Sequence, residues 1–262
     1  MDRLVLKAKE LLLLSSQIGA SNFYGIADPF FGMTKDEVWG EIPQLQQKLE
    51  DRGLASFGFD GTVEIREDVQ EAISICVLCE KYITVDAIVK GSVLPRTVLY
   101  RRGGHAVELT QKPGEVSLVD VAEGDFVDSV MSTLFSDCGD DTKLDAPVPI
   151  PQSVLQNAQR DTEAAEHILR QNNCPEGMAA VIASGLNRTG GYCVISSFDL
   201  SRNSVADFVC VVGKSGAVRL EVWTDAENTW RASWIRKSEI LEMLHAIIQQ
   251  KTPQGGDADE AQ

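Results

Sequence analysis

The feature that most constrains the fold is a repeated order of predicted elements on the two sides of a proline-rich segment. Three prolines, Pro147, Pro149 and Pro151, fall within five residues and predict an extended connector. Each side of it shows the order α-α-β-β-β-β-α, from helical apolar spacing and from short runs bounded by turn residues. The strand-like runs are YITVDAIV, RTVLYRR, HAVELTQ and EVSLVDV before the prolines, and YCVISSF, DFVCVVG, AVRLEVW and TWRASWI after them.

The last elements of the two sides can be aligned residue by residue. The run from His105 to Leu109 matches the run from Gly216 to Leu220, and the apolar stripes of the two closing helices match at a constant offset of 114. Because strands joined by tight turns pair antiparallel, each side is expected to be an α+β unit. The sequence therefore predicts two pseudo-twofold related halves whose antiparallel sheets form a shared core flanked by helices. The aligned stripes are Phe126, Val130 and Leu134, and Ile240, Leu244 and Ile248.

These patterns divide the chain into a first half over residues 1–135, a linker over 136–151, a second half over 152–250 and an acidic tail over 251–262. The first half opens with an expected helix, because Leu4, Ala8, Leu11, Leu12 and Ile18 fit one helical stripe. Charged residues interrupt this run, which argues against a signal peptide, and no run is long and apolar enough to predict a membrane span.

One predicted hairpin is confined to the first half. The segment from Ser56 to Ile65 has Asp60-Gly61 at its centre and lies between two helices, which is the layout of a wing in a winged-helix unit. A transcription regulator of that class would read DNA with the helix from Arg66 to Glu80. That helix carries more acidic than basic residues, which is unfavourable for contact with a phosphate backbone.

The net charge of −15 disfavours nucleic acid and anionic membranes as partners. No phosphate-binding loop, nucleophile elbow or metalloprotease motif is present in the sequence, and Cys76-x-x-Cys79 lacks a second pair to complete a zinc site. Six cysteines without a shared spacing favour a reducing compartment. We therefore expect a cytoplasmic protein that is not an enzyme and that takes no cofactor and no metal, although a catalytic site assembled from scattered residues stays open.

Two features are candidates for binding another protein. Trp230 and Trp234 fall on one face of the last strand, where they either fill the core or form an exposed aromatic platform. The other candidate is a locally basic turn suited to an acidic partner or to a solvated hairpin tip. Its residues are Arg101, Arg102, Gly103, Gly104 and His105.

The opening LLLLSSQIGASNFYGIADPFFGM, followed by helix, Asp-Gly wing, helix, four strands and helix, resembles the EspG-like proteins of type VII (ESX) secretion systems. The likeness is to a member from Gram-positive bacteria and covers residues 1 to about 250. It implies a non-enzymatic cytosolic chaperone that binds a helical secreted protein of LXG or WXG type before export. In that family the central sheet, its strand connections and the C-terminal helical region hold the partner. By position, these correspond to the turn from Arg101 to His105 and to the helix from Ser238 to Ile248, including Ile240 and Leu244.

An immunity or adaptor protein that blocks a secreted toxin by surface complementarity is an alternative, because it shares the acidic charge and the lack of catalytic motifs. The winged-helix regulator described above is the other alternative.

Overall fold

The computed structural model describes residues 3–20, 23–136, 138, 146–213, 216–222 and 228–249. The first half contains β1 (Leu4–Leu6), α1 (Ala8–Gln17), α2 (Lys35–Asp51), β2 (Ala55–Phe57), β3 (Val63–Ile65), α3 (Glu67–Val77), β4 (Lys81–Val89), β5 (Ser92–Val93), β6 (Arg96–Arg102), β7 (His105–Lys112), β8 (Glu115–Asp120) and α4 (Glu123–Leu134). The second half contains β9 (Val148–Pro151), α5 (Gln152–Arg160), α6 (Ala165–Gln171), α7 (Glu176–Leu186), β10 (Gly191–Asp199), β11 (Ser204–Gly213), β12 (Gly216–Val222), β13 (Thr229–Ile235) and α8 (Lys237–Gln249).

A single antiparallel sheet runs through both halves. Within the described residues it has 11 strands in the order β1-β8-β7-β6-β4-β10-β11-β12-β13-β9, with β5 paired to β4. The halves join at its centre, where β4 and β10 pair from Lys81 opposite Asp199 to Val89 opposite Gly191. The expected α+β class and antiparallel pairing are confirmed, and the two expected sheets are continuous with each other.

The register of the sheet repeats between the halves. Val98 lies opposite Leu109 on β6 and β7, and Val209 lies opposite Leu220 on β11 and β12. The closing helices α4 and α8 pack side by side on one face of the sheet, and the aligned apolar stripes of both belong to one buried cluster. This cluster crosses the β4–β10 junction and is the shared core that the repeat predicted.

The opposite face of the sheet carries two separate helix groups. Helices α1, α2 and α3 bury their apolar sides in a cluster over the first half, and α5, α6 and α7 do so over the second half. Helix α2 begins with a capping box, in which Glu37 N–H donates to Thr34 Oγ1 at 3.3 Å and Thr34 N–H donates to Glu37 Oε2 at 2.7 Å.

Two expectations for the ends of the halves need correction. The first residues do not continue the helix, because Leu4–Leu6 form β1 and pair with β8 through Leu4 opposite Leu118. The expected linker contains β9, which pairs with β13 through Ile150 opposite Trp230. Strand β9 lies at the sheet edge, where alternating prolines are tolerated since only one side of the strand needs donors. The acidic tail and half of the linker, residues 137 and 139–145, lie outside the described residues.

Candidate partner-binding surface

A strip of sheet remains open between the two helix groups. Residues that lie directly opposite each other in neighbouring strands share a face, so the registers of β4, β10 and β11 identify the side chains in this strip. All of its members are half-buried or exposed, and the Val205 side chain is 58% exposed. We call this strip the central groove; it consists of Asp86, Val194, Ser196, Val205, Asp207 and Val209.

Stacked aromatic rings form one wall of the central groove. Tyr24 stacks on Tyr82 with ring centroids 5.4 Å apart, and Tyr82 stacks on Phe198 at 4.5 Å. The Tyr100 hydroxyl donates to the Tyr24 carbonyl oxygen, which fixes the loop after α1 over the first half of the sheet. Gly25 has a φ of +79°, and a Cβ there would lie 3.0 Å from Val98 Cγ1, so this loop approaches β6 closely only with glycine at that position.

Positions of the central groove that are equivalent by the pseudo-twofold relation carry different charges in the two halves. Arg96 makes a two-pronged ion pair with Asp86, with both N–O distances 2.7 Å. The equivalent positions in the second half hold Ser196 and Asp207, which lie directly opposite each other. Within the described part of the chain, the Asp207 side chain makes no ion pair, so an exposed carboxylate lies among the groove valines.

The residues of the basic turn have two different roles. Arg101 makes structural contacts, whereas the other residues form an exposed tip. The Arg101 guanidinium contacts the Glu123 carboxylate at the start of α4 and donates to the Ile248 carbonyl oxygen near the end of α8. Lys81, opposite Arg101 in the sheet, is buried and donates to the Ile247 carbonyl oxygen. Burial, followed by the nearby Arg101 charge, lowers the pKa of the Lys81 ammonium group. Arg101 therefore connects the closing helices α4 and α8 with the sheet.

The remaining residues of the turn project into solvent. Gly103 and Gly104 have φ values of +54° and +86°, which a tight hairpin between paired strands requires. Arg102 and His105 lie opposite each other at the tip and are accessible to a partner.

Trp230 and Trp234 are half-buried and pack against the cluster beneath α5, α6 and α7, on the same face as the buried Ala232. The Trp234 ring lies against Gly177 of α7, where a Cβ would be 3.6 Å from ring atom Cζ2. Each ring therefore contributes to the second-half cluster and keeps one accessible side.

Ile240 and Leu244, expected on the partner-binding side of the last helix, are core residues. Their exposed fractions are 0% and 1%, and both side chains lie in the cluster shared by α4 and α8. The stripe that marks them in the sequence is the face that α8 turns toward the sheet. The structure thus divides the predicted partner-binding residues into three groups. These are an exposed hairpin tip, two tryptophan rings on the sheet face that α5, α6 and α7 cover, and two core residues of α8.

The thiols offer little for chemistry or for a metal. All six cysteines are buried, and each is a thiol and not half of a disulfide. Burial raises the pKa of the Cys79 thiol to about 12 and of the Cys174 thiol to about 11, so both are protonated and weakly nucleophilic at neutral pH. No cluster of potential metal ligands occurs among the described residues. In that same part of the chain, no helix has the length and apolarity to cross a bilayer.

The wing is present as the hairpin of β2 and β3, with Phe59 fully exposed at its tip. The following helix α3 buries Val69 and Ile73 against the sheet and has Glu67 and Asp68 in its first turn. An acidic helix start beside the wing is unfavourable for DNA, as the sequence indicated.

The chain is similar in fold to a solved structure, that of the Mycobacterium tuberculosis type VII secretion system chaperone EspG5 in complex with the PE25–PPE41 dimer. The TM-score is 0.62, the sequence identity is 12%, and the match covers 99% of this chain and 100% of that chain. No protein-family model and no curated protein matches the sequence. At this identity the likeness shows the fold, and it agrees with the family that the element order resembles.

Sequence reasoning missed the central groove. Its residues are spread from Asp86 to Val209, and the pairing of β4 with β10 brings them together. The available signal was alternation, since Asp207 and Val209 occupy every second position of one predicted strand and Val205 continues this spacing just before it.

Proposed function

We propose that this protein is a non-enzymatic chaperone or adaptor that binds a helical type VII secretion substrate of LXG or WXG type in the cytoplasm before export. The observation that carries the proposal is a fold shared over the whole length of both chains with a type VII secretion chaperone that was solved together with a protein dimer. The proposal includes membership in the EspG-like family, in its Gram-positive branch.

The central groove supplies a surface with suitable chemistry. A helix that docks in a groove needs apolar contacts for its anchors and a polar rim that sets its orientation. Val194, Val205 and Val209 supply the apolar contacts, and Ser196 and Asp207 supply polar groups between them. The exposed hairpin tip at Arg102 and His105 adds a basic contact in our proposal, because it lies at the end of the sheet where β11 begins.

Co-expression of the chain with helical secreted proteins encoded by neighbouring genes tests the proposal. We expect one of them to co-purify in a stable complex and to become more soluble. Val205→Glu should abolish the complex, because it places a charge in the apolar part of the central groove. Leu241→Glu is the matched control, since Leu241 is a partly exposed apolar residue of α8 on the opposite face of the sheet.

The outcomes separate the alternatives. If no neighbouring product forms a complex, the chaperone proposal is wrong. If a partner is toxic on its own, and the chain removes that toxicity without changing the partner's solubility, the chain is an immunity protein. If Leu241→Glu breaks the complex and Val205→Glu does not, the partner binds at α8 and not in the central groove.

A further inference from the structure

The first part of strand β11 is paired on one side only. β11 pairs with β10 from Ser204 to Val212, but its pairing with β12 begins at Val209. Within the described part of the chain, the residues Ser204–Phe208 therefore have β10 as their one neighbouring strand. We call the side of Ser204–Phe208 that faces away from β10 the open edge.

The hydrogen-bond pattern of the sheet shows which backbone groups point toward the open edge. Leu200 N–H donates to the directly opposite Glu80 carbonyl oxygen at 3.0 Å, and a second bond of this kind lies at the far end of the β4–β10 pair. The even-numbered residues of β10 therefore bond to β4, and its odd-numbered residues bond to β11. By register, the even-numbered residues of β11 then bond back to β10. The N–H and C=O groups of Val205 and Asp207 consequently point toward the open edge.

The two ends of the sheet are protected against an added strand, whereas the open edge is not. The same alternation places Pro149 and Pro151 at the outward positions of β9, where proline has no N–H to donate. At the other end of the sheet, the Arg52 guanidinium donates to the outward carbonyl oxygen of Val5 on β1. The open edge contains no proline. Because unprotected strand edges pair readily with another strand, this edge is suited to bind one.

The side chains beside the open edge indicate which strand fits. Val205 and Asp207 share the groove face of the sheet, and both are exposed. An antiparallel strand places one residue directly opposite each of them. A β-branched residue opposite Val205 gives an apolar pair, and a lysine or arginine opposite Asp207 pairs with its carboxylate. On the other face, the exposed Ser204 and Ala206 suit small polar residues.

A second copy of this chain fits the open edge less well. Antiparallel pairing of two open edges about Ala206 would place Val205 of one copy opposite Asp207 of the other. Each carboxylate would then face an apolar side chain, and the two carboxylates would lie diagonally across the strand pair. Since like charges across a strand pair are destabilising, charge complementarity favours a strand that brings a cation.

We propose that the open edge binds an extended segment of another protein as an added antiparallel strand. The segment has a lysine or arginine opposite Asp207 and, two positions later, a β-branched residue opposite Val205. Each of these two residues exchanges N–H and C=O hydrogen bonds with the residue that it faces. The inference does not rest on the proposed function, because an added strand lies in the plane of the sheet and a helix in the central groove lies on its face.

The test uses the full chain and labelled peptides of about nine residues, a length typical of strands. In the first peptide, lysine precedes valine by two positions and threonine fills the rest. The second peptide carries N-methyl groups on the lysine and the valine, whose N–H groups face the open edge in our proposal. The third carries as many N-methyl groups on neighbouring threonines, whose N–H groups face away. By fluorescence anisotropy, we expect the second peptide to bind at least about tenfold more weakly than the first and the third.

Amide hydrogen exchange locates the bound strand. In the free chain the N–H groups of Val205 and Asp207 should exchange fast, whereas that of Ala206, which bonds to β10, should be protected. The first peptide should slow exchange at Val205 and Asp207.

A proline substitution tests the open edge from the side of the protein. Val205→Pro removes one outward donor and no bond of the sheet, and Val205→Ala is its control for the lost side chain. We expect Val205→Pro to weaken binding of the first peptide at least about threefold more than Val205→Ala does. Urea denaturation checks that both variants fold. If Val205→Pro does not fold, the comparison of the N-methylated peptides on the unmodified chain decides.

Three results would overturn the proposal. Equal binding of the second and third peptides would show that hydrogen bonds to the open edge do not matter. Protected Val205 and Asp207 amides in the free monomer would show that the chain covers this edge itself. A dimer that Val205→Pro dissociates would make a second copy the occupant. The co-expression test of the proposed function is separate, because these peptides are neither helical nor secreted.

Discussion

Lys81 and Arg101 lie directly opposite each other on β4 and β6, and both donate hydrogen bonds to carbonyl groups near the end of α8. The last carbonyls of a helix have no partner within it, and cations near that end also complement the helix dipole. Arg101 in addition pairs with Glu123 at the start of α4. One side chain of the basic turn therefore connects the two closing helices with the sheet.

We expect Arg101→Ala to reduce the free energy of unfolding by about 1–2 kcal/mol, because it removes a charged hydrogen bond and a partly exposed ion pair. Arg102→Ala, one residue along at the exposed hairpin tip, should change it by less than about 0.5 kcal/mol. Urea denaturation of both variants measures the difference. Equal values would mean that Arg101 contributes no more to stability than an exposed tip residue.

Ile240 is fully buried, whereas its neighbour Leu241 is partly exposed. We expect Ile240→Ala to cost about 2–5 kcal/mol of unfolding free energy, because it leaves a cavity between α8 and the sheet. Leu241→Ala should cost less than about 1 kcal/mol. Similar losses in chemical denaturation would contradict the orientation of α8 described above.

Much of the fold was predictable because it depends on local patterns. The tight turns between successive strand-like runs, such as Gly103-Gly104, predicted antiparallel neighbours, and the pairing of β6, β7 and β8 confirms them. The constant offset between the closing helices indicated that they are equivalent elements of a repeat, and both pack their apolar stripes into one core.

The features that escaped prediction depend on contacts between distant parts of the chain. Leu4 fits a helical stripe with Ala8 and Leu11, but pairing with β8 at the sheet edge makes Leu4–Leu6 a strand. The junction of β4 with β10 has no local signal, and it determines where the central groove lies. The burial of Leu244 escaped prediction as well, since an apolar stripe looks the same in sequence whether it faces a core or a partner.

Helix α7 offers a comparison between two glycines. A Cβ on Gly185 would lie 2.4 Å from Val211 Cγ1, a buried atom of β11, so Gly185→Ala forces the helix and strand apart. We expect a loss of about 1–3 kcal/mol of unfolding free energy. A Cβ on Gly177 would meet its nearest neighbour at 3.6 Å, so Gly177→Ala should be neutral or stabilise the helix by up to about 1 kcal/mol. Thermal and urea denaturation measure both, and a neutral Gly185→Ala would contradict the close packing of α7 on β11.

The raised thiol pKa values of Cys79 and Cys174 predict a loss of stability in mild alkali. A thiol in the unfolded chain ionises near pH 8.5, whereas these two stay protonated in the fold up to about pH 12 and 11. Above about pH 8.5 the unfolded state therefore binds fewer protons, and the free energy of unfolding falls by up to about 1.4 kcal/mol per pH unit for each thiol. Urea denaturation between about pH 7.5 and 9.5 measures the slope. The decrease in unfolding free energy per pH unit should be smaller in a Cys79→Ala, Cys174→Ala double variant. An unchanged slope would exclude these thiols as the source of the pH dependence.

The unequal charges of the central groove lead to a prediction for the partner complex of the proposed function. Arg96 neutralises Asp86, but Asp207 at the position equivalent to Arg96 has no such counterpart in the described chain. A helix that covers the groove takes the Asp207 carboxylate out of water, which costs free energy unless the helix brings a cation to it.

We therefore expect Asp207→Asn to weaken the complex by about fivefold to tenfold and to reduce its salt dependence. Asp125→Asn, which removes an exposed carboxylate from α4 on the opposite face, should change neither. Isothermal titration at two salt concentrations measures both quantities. Tighter binding by Asp207→Asn would show that the partner brings no cation and that the carboxylate opposes binding.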